Sequence, residues 1–398
     1  MGKGIFNGLL NNLKAAAEGL KDNRREGFDL KYKLIDALKS ALAVFFFQHP
    51  SMLDFQTTMK QKWKRCNLET VMGVQEIPSN VQITTLLDGI DPDSLSSVFN
   101  KNLHTVDERG GLKDFRCLDG GVLLALDGVR YFSSEQVHCK HCLHTTKEEV
   151  TTYYHSVLAG TLVKPGNTAV LPVAPEMITN TDGTVQGTNS KKQDCERNAA
   201  KRWLTKHAEE YKWLSPTLLG DDLYSNYPFC KEVLERGYSF IFTCKEDSHP
   251  WLTETVENSY PEEASRREWN GRHHLAYTYR WLNGVEIRDN KETLMVNYFS
   301  LSIWNEEKNK QRFKFNTFEG ASCHCKAVFS PLFSQKLKNV ILGKTRRCRR
   351  KYKTRILQIN PKKEGFYEKE SIDGPCIARN HRDKRSLRAD AYAGQAED

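Results

Sequence analysis

The chain has 398 residues, which is long enough to bury a sizeable core and predicts two or three domains. Its formal net charge of +9 favours an anionic partner, most simply nucleic acid. The sequence shows no secretory signal and no apolar run long enough to span a bilayer, and its 11 cysteines are typical of reduced thiols or metal ligands. Composition therefore excludes a disulfide-stapled secreted scaffold and predicts a cytoplasmic protein without a membrane segment.

The first part of the chain has the pattern of helices. Apolar residues recur at helical spacing from Phe28 to Phe47, and shorter helical patterns follow. Residues 1–27 are predicted to form an N-terminal arm and residues 28–104 an all-helical domain. Such a domain is typical of DNA binding through a helix-turn-helix and equally of packing or dimerisation, and the pattern favours neither.

From Cys117 the pattern changes to strands rich in β-branched and aromatic residues. The predicted strands are Val122–Leu126, Val129–Phe132, Thr151–Val163, Thr168–Val173, Thr217–Leu219 and Phe240–Thr243. Helices are predicted at Gln193–Ala208 and Leu223–Tyr238. This succession predicts an α/β domain over residues 117–311, with a mixed sheet and flanking helices.

Acidic residues follow two of the predicted strands. Asp127 comes directly after the first strand, and Asp221 and Asp222 come after the strand that ends before Gly220. A strand end holds a carboxylate on a rigid backbone, which suits a ligand of Mg²⁺. Two adjacent strands would then present acids to shared metal ions. Two unrelated turn acids are the alternative, and the pattern alone leaves both open.

Several stretches resemble, in order along the chain, the bacterial insertion-sequence transposases of the DDE type. These stretches are LDGVRYFSSEQVHCKHC (Leu126–Cys142), TYYHSVLAGTLVKP (Thr152–Pro165), QDCERNAAKRWL (Gln193–Leu204), GDDLYSNYP (Gly220–Pro228) and YRWLNGVEI (Tyr279–Ile287). The resemblance implies a ribonuclease H-like catalytic core in which Asp127 and Asp221 bind Mg²⁺ or Mn²⁺, with Asp222 in reserve. It also implies a dimer that cleaves double-stranded DNA at the ends of a mobile element and transfers the strands, in the bacterial cytoplasm on the nucleoid.

The resemblance stops near Gln311. The third catalytic acid of the family is a Glu within a segment resembling Arg-Trp-x-Ile-Glu on a late helix, and no such segment follows Gln311. Residues 312–398 are predicted to be a divergent, basic and poorly ordered tail, produced by a shift of reading frame near Arg312 or by a divergent end whose acid lies elsewhere, with Glu319 as one candidate. The sequence therefore leaves open an active transposase and a non-catalytic DNA-binding relic.

A Cys-x-x-Cys pair with flanking histidines forms a second candidate metal site. Cys139 and Cys142 have the spacing of half a tetrahedral zinc site, which needs two further ligands. The candidates for the remaining ligands are His138, His144, His155 and Cys195. A reduced, partly exposed cysteine pair in a loop is the alternative.

Two smaller groups complete the candidate residues. Asp194 and Glu196 open the predicted helix at Gln193–Ala208, where acids favour a helix N-terminus, and a supporting role beside the metals is the alternative. An arginine cluster among aromatic residues is a candidate contact to DNA phosphates, or a solvated surface. The arginines of this cluster are Arg266, Arg267, Arg272 and Arg280.

Overall fold

The computed structural model describes residues 2–22, 24, 32–61, 67–118, 120–179, 193–320, 358–359 and 366–367. Its α-helices are α1 Gly2–Glu18, α2 Leu34–Phe46, α3 Met52–Met59, α4 Asn80–Leu87, α5 Ser97–Glu108, α6 Glu196–Tyr211, α7 Tyr227–Glu235 and α8 Pro250–Asn258. Short helical turns of other types lie at Leu68–Met72, Pro92–Leu95, Lys113–Phe115 and Lys212–Leu214. None of the helices in these ranges combines the length and the apolar composition that a bilayer crossing requires.

The strands alternate with helices only in the middle of the chain. They are β1 Arg116–Cys117, β2 Gly121–Ser134, β3 Leu143–Lys147, β4 Val150–Val163, β5 Leu171–Pro172, β6 Glu176–Ile178, β7 Pro216–Gly220, β8 Ser239–Thr243, β9 Glu262–Trp269, β10 His274–Glu286, β11 Met295–Asn305, β12 Lys310–Gly320, β13 Gln358–Ile359 and β14 Phe366–Tyr367. The predicted mixed α/β class is confirmed, because helices and strands alternate around a sheet with both parallel and antiparallel pairs.

One 12-stranded sheet organises the described residues. Its main path has the order β3-β4-β2-β7-β8-β12-β11-β10-β9, with β1 added to β2 and both β5 and β6 added to β4. The β2–β7 and β7–β8 pairs are parallel, and the other pairs in the sheet are antiparallel. The two parallel steps need crossovers, which α6 and α7 supply.

Both faces of the first six residues of β2 are buried, which explains its unbroken apolar start. Val122, Leu124 and Leu126 belong to the main core with α6 residues such as Trp203. Alternate residues such as Leu123 belong to a second apolar cluster with β7, β8, β10 and β11. The period of two along a strand divides the residues between these clusters.

The helices that precede the sheet have an apolar cluster of their own. Its buried members are Ala43, Val44, Phe55, Met59, Leu68, Met72 and Val74. Ser51 begins α3 by accepting a hydrogen bond from the Asp54 backbone N–H. In contrast, α5 packs Leu103 into the main core beneath the sheet. The described part of the predicted helical segment therefore contains helices. The last of these helices, α5, contributes to the core of the sheet.

Three predicted boundaries differ from the structure. The predicted break between two strands at Asp127-Gly128 is wrong, because β2 continues through both residues and pairs them with Ala159 and Leu158 of β4. The helix predicted from Leu223 begins later, where Asn226 caps α7. The sheet also passes the predicted domain end at 311, because β12 continues to Gly320 and pairs with β8. Most of the predicted tail, apart from β12 and the short β13 and β14, lies outside the described residues.

An ion network fixes α6 against the sheet. The Arg202 guanidinium lies 2.8 Å from the carboxylate of Asp194 and 2.8 Å from that of Glu176. Lys206 adds a second cation 3.0 Å from Glu176. The side chains of Asp194 and Glu176 are almost fully buried. Asp194 therefore acts as a structural partner of Arg202, and the network sets where α6 begins.

We expect Arg202→Met to lower the free energy of unfolding by about 3 to 5 kcal/mol, because it leaves the buried Asp194 carboxylate without its cation. Urea denaturation measures this change. Lys231→Met is the control, because Lys231 lies 4.0 Å from Glu235 in an exposed pair that contributes at most about 1 kcal/mol. Equal losses in the two variants would contradict a structural role for the buried network.

Candidate active site

Asp127 and Asp221 lie at the same level on neighbouring parallel strands. The ladder between β2 and β7 runs from Val122–Pro216 to Ala125–Leu219, and each acid comes two residues after the last paired rung. Asp127 continues in β2, whereas Asp221 follows the end of β7. The carboxyl ends of parallel strands share one edge, where open α/β sheets bind their ligands. Asp127 is partly buried and Asp221 is exposed, so solvent and a substrate have access to this edge.

Glu196 joins these two acids from above the sheet. It is the first residue of α6, and its side chain passes so close to Gly128 that a Cβ at that position would lie 2.3 Å from Oε2. Gly128 thus leaves room for the carboxylate, which a side chain at this position would displace. The buried hydroxyl of Tyr224, in the loop after Asp221, donates a hydrogen bond to Oε1 of Glu196. Glu196 is therefore tied to both segments that carry the other acids.

The three carboxylates influence one another electrostatically. Burial raises the pKa of Glu196, the hydrogen bond from Tyr224 acts against this, and the negative charges of Asp127 and Asp221 raise the pKa further. Burial followed by the charge of Glu196 also raises the pKa of Tyr224. Mutual repulsion of this kind is relieved when a cation binds between the carboxylates. A cation at this edge would therefore be stabilised by the three carboxylates.

The three acids do not form a compact ligand cluster in the structure. Among the described residues, one set of three Cys, His or carboxylate groups has its ligand atoms within 4.8 Å of one another, and this set does not include the three acids. Carboxylate oxygens are the ligands that Mg²⁺ and Mn²⁺ prefer, so the donor set suits such ions by its chemistry. The separation of the three acids does not by itself define an ion site.

Asp222, the reserve candidate, has a different task. Its carboxylate accepts hydrogen bonds from the Lys245 backbone N–H at 2.7 Å and from the Ser248 hydroxyl at 2.6 Å. Its backbone C=O accepts a bond from Ser225, whose hydroxyl also contacts His249 at 2.7 Å. Asp222 therefore holds the loop after β8 against the loop after β7, and its carboxylate is occupied by these hydrogen bonds.

The arginine cluster lies far along the sheet from the acids. Arg266 and Arg267 lie on β9 and Arg280 on β10, at the opposite end of the strand order from β2. These three pair with carboxylates of Glu268, Glu306 and Glu263 respectively. Arg272, in the turn between β9 and β10, lines an open cavity of about 650 Å³ with Lys308 and Lys310. A DNA contact at this edge stays a prediction.

The sequence predicted at most a supporting role for Glu196, and it did not identify Tyr224 as part of the site. Glu196 was a helix-opening acid beside Asp194, and the structure separates the two: Asp194 turns to Arg202, and Glu196 turns to the sheet edge. Tyr224 follows Asp221 by three residues, and this closeness in sequence is the signal that could have placed it at the site. Glu319, the candidate for a divergent end, is buried in β12 beside Ile241 of β8.

No protein-family model matches the chain, and no curated protein matches its sequence. Function is therefore inferred from the geometry of the site together with the resemblance noted above.

We expect Glu196→Gln to be more stable than the parent chain at neutral pH without added divalent cations. The folded-state pKa of Glu196 is raised above 4.5, so the folded chain holds this proton more tightly than the unfolded chain. That contribution to stability is complete at low pH and is lost as the pH rises through the raised pKa. Gln keeps an acceptor for Tyr224 and removes the titration.

Scanning calorimetry of both chains from about pH 4 to about pH 8 measures this difference. The melting temperature of Glu196→Gln should exceed that of the parent increasingly as the pH rises. Glu235→Gln, at the exposed end of α7, is the control and should follow the parent at every pH. A constant offset across the range would show that the carboxyl of Glu196 does not titrate in the way the site implies.

Proposed function

We propose that this chain is a DDE-type transposase that cleaves double-stranded DNA at the ends of an insertion sequence and transfers the strands, using Mg²⁺ or Mn²⁺. The observation that carries the proposal is the convergence of Asp127, Asp221 and Glu196 at one edge of the sheet. Three hard oxygen donors on rigid elements, at a site open to solvent, are what metal-dependent phosphoryl transfer requires.

The order of the strands supports a ribonuclease H-like core within this proposal. An antiparallel group with β4 between β2 and the short β6 is followed by parallel β7 and β8, with α6 and α7 at the crossovers. The resemblance implies this arrangement for the catalytic core. Both strands that carry aspartates lie at its centre, where the ladder limits their movement.

The residues of the chain prepare the site in distinct ways. Pairing with Ala159 fixes the backbone of Asp127, and the Leu223 backbone N–H donates a 2.9 Å hydrogen bond that orients Asp221. Tyr224 orients Glu196. Bound Mg²⁺ or Mn²⁺ supplies charge neutralisation at the phosphodiester and lowers the pKa of a coordinated water.

The reaction consists of two displacements at phosphorus. Water attacks the phosphodiester at the end of the element, the P–O3′ bond breaks, and the freed oxygen leaves as a 3′-hydroxyl. That hydroxyl then attacks a phosphodiester of target DNA and displaces its 3′-oxygen. The three carboxylates would hold the metal ions beside the phosphate in both steps, so one site would serve both.

Glu196 takes, in this proposal, the part that the resemblance gives to a Glu on a late helix. The segment that would carry such a helix does not follow Gln311 in the sequence. Glu196 instead reaches the same edge as the two aspartates from the start of α6. The missing segment also favours a second candidate function, a DNA-binding relic that no longer cleaves. Either protein acts on the nucleoid in the cytoplasm, as a dimer bound to two DNA ends.

We expect Asp127→Asn to reduce nicking of DNA by at least about a hundredfold, because several kcal/mol of transition-state stabilisation depends on the bound ions. The substrate is a supercoiled plasmid that carries the genomic DNA flanking the coding region, with Mg²⁺ or Mn²⁺ added. Conversion to open circles is measured on agarose gels. Asp247→Asn, an exposed acid in the loop after β8, is the control and should nick at the parent rate.

Two outcomes separate the candidates. Binding of the plasmid without nicking, by the parent chain and by Asp127→Asn alike, would establish the relic and refute the enzyme. Nicking that requires Asp127 and Asp221 but survives in Glu196→Gln would keep the transposase and remove Glu196 from its metal ligands.

A further inference from the structure

Cys139, Cys142 and His155 converge beyond the end of the β2–β4 pair that is remote from β7. They are the set, among the described residues, whose ligand atoms all lie within 4.8 Å of one another. The two Sγ atoms are 3.8 Å apart. Nε2 of His155 lies 3.4 Å from Sγ of Cys139 and 3.3 Å from Sγ of Cys142. A residue on a neighbouring strand thus closes on a Cys-x-x-Cys loop.

These distances match a tetrahedral zinc ion. Zn–S bonds of about 2.3 Å and Zn–N bonds of about 2.0–2.1 Å, at tetrahedral angles, separate two sulfurs by about 3.8 Å and a sulfur from a nitrogen by about 3.6 Å. The observed triangle is equal to this in its S–S side and slightly shorter in the other two. A disulfide would bring the sulfurs to about 2.05 Å, and both cysteines are free thiols.

The loop also supplies donors that favour thiolate sulfur. The Cys139 backbone N–H donates to Sγ of Cys142 at 3.3 Å, and the His141 backbone N–H donates to Sγ of Cys139 at 3.4 Å. Such bonds stabilise negative charge on the ligands and fix their orientation, as outer partners of metal ligands do. The ring of Tyr131 stacks on His155 with centroids 5.8 Å apart and covers one side of the site.

The structure does not bring the other predicted ligands into this set. His138 stacks on Tyr153 with centroids 4.3 Å apart, and neither His144 nor Cys195 belongs to the set. Cys142 is buried while Cys139 is exposed, so an ion reaches the site from solvent and then lies against the protein.

We propose that Cys139, Cys142 and His155 bind one Zn²⁺ ion, with its fourth position filled by water. The ion fastens the loop between β2 and β3 to β4. Gln193 then extends the connection, because its side-chain amide accepts from the His144 N–H at 2.6 Å and donates to the His144 C=O at 2.8 Å. The loop that carries Cys139 and Cys142 is thereby connected to the segment that leads into Glu196. This connection does not depend on whether the chain cleaves DNA.

Metal binding by the intact chain tests this proposal directly. Purified without an affinity tag and reduced, the chain should contain about one zinc ion per molecule by elemental analysis. Titration of the zinc-free chain with Co²⁺ should give thiolate-to-cobalt charge transfer in the near ultraviolet and the strong visible bands of tetrahedral cobalt. A chelator should lower its melting temperature.

The variant Cys139→Ser/Cys142→Ser should lose at least about tenfold in affinity for Co²⁺, because it removes two of three protein ligands. Cys195→Ser is the matched control, since Cys195 was also a sequence candidate and lies outside the set, and it should bind as the parent does. Circular dichroism establishes that each variant is folded. Should the double variant not fold, the cobalt titration of the parent chain decides.

Three results would overturn the proposal. A reduced, folded parent chain that takes up neither zinc nor cobalt would do so, as would a folded double variant that retains the cobalt spectrum. Octahedral cobalt bands without charge transfer in the parent chain would show that the sulfurs are not ligands.

Discussion

The parallel pairing of β2 with β7 is the constraint on which the rest of the structure depends. It brings Asp127 and Asp221 to one level, and the approach of Glu196 to Gly128 adds a third negative charge. Partial burial and repulsion both oppose ionisation of Glu196, so this arrangement costs stability unless a cation is bound. The fold nevertheless maintains it, with the buried Tyr224 as a dedicated partner for Glu196. Strain of this electrostatic kind is typical of functional sites.

Much of this edge could be predicted, because it depends on local patterns. The apolar run before Asp127 and the short strand before Asp221 both lie in the central sheet. The break predicted at Gly128 was wrong for an instructive reason. Asp-Gly commonly marks a turn, but this glycine lies within a strand and leaves room for a carboxylate from a helix far along the chain. Tertiary contacts of that sort leave no local signal in the sequence. The ion pair between Asp194 and Arg202 is a second example.

At the cysteine loop, the sequence spacing and the strand register identify different ligands. Spacing alone identified Cys139 and Cys142, because two thiols three residues apart turn readily toward one point. Selecting His155 from the neighbouring histidines required the ladder in which it pairs with Phe132. His138 and His144 lie nearer in sequence, yet both rings lie beside Tyr153 instead. Knowledge of the antiparallel register was thus the missing information.

The two candidate metal sites use opposite ligand chemistry on the same pair of strands. Along β2 and β4, the rung Asp127–Ala159 belongs to the carboxylate edge and the rung Phe132–His155 to the cysteine loop. Thiolate and imidazole select zinc, whereas carboxylates at an open edge suit Mg²⁺ or Mn²⁺. The cysteine site therefore discriminates against Mg²⁺ by its ligand type alone. Gln193 bonds to the backbone of His144 in β3, so the cysteine loop is connected to the segment that precedes Glu196 through neighbouring elements.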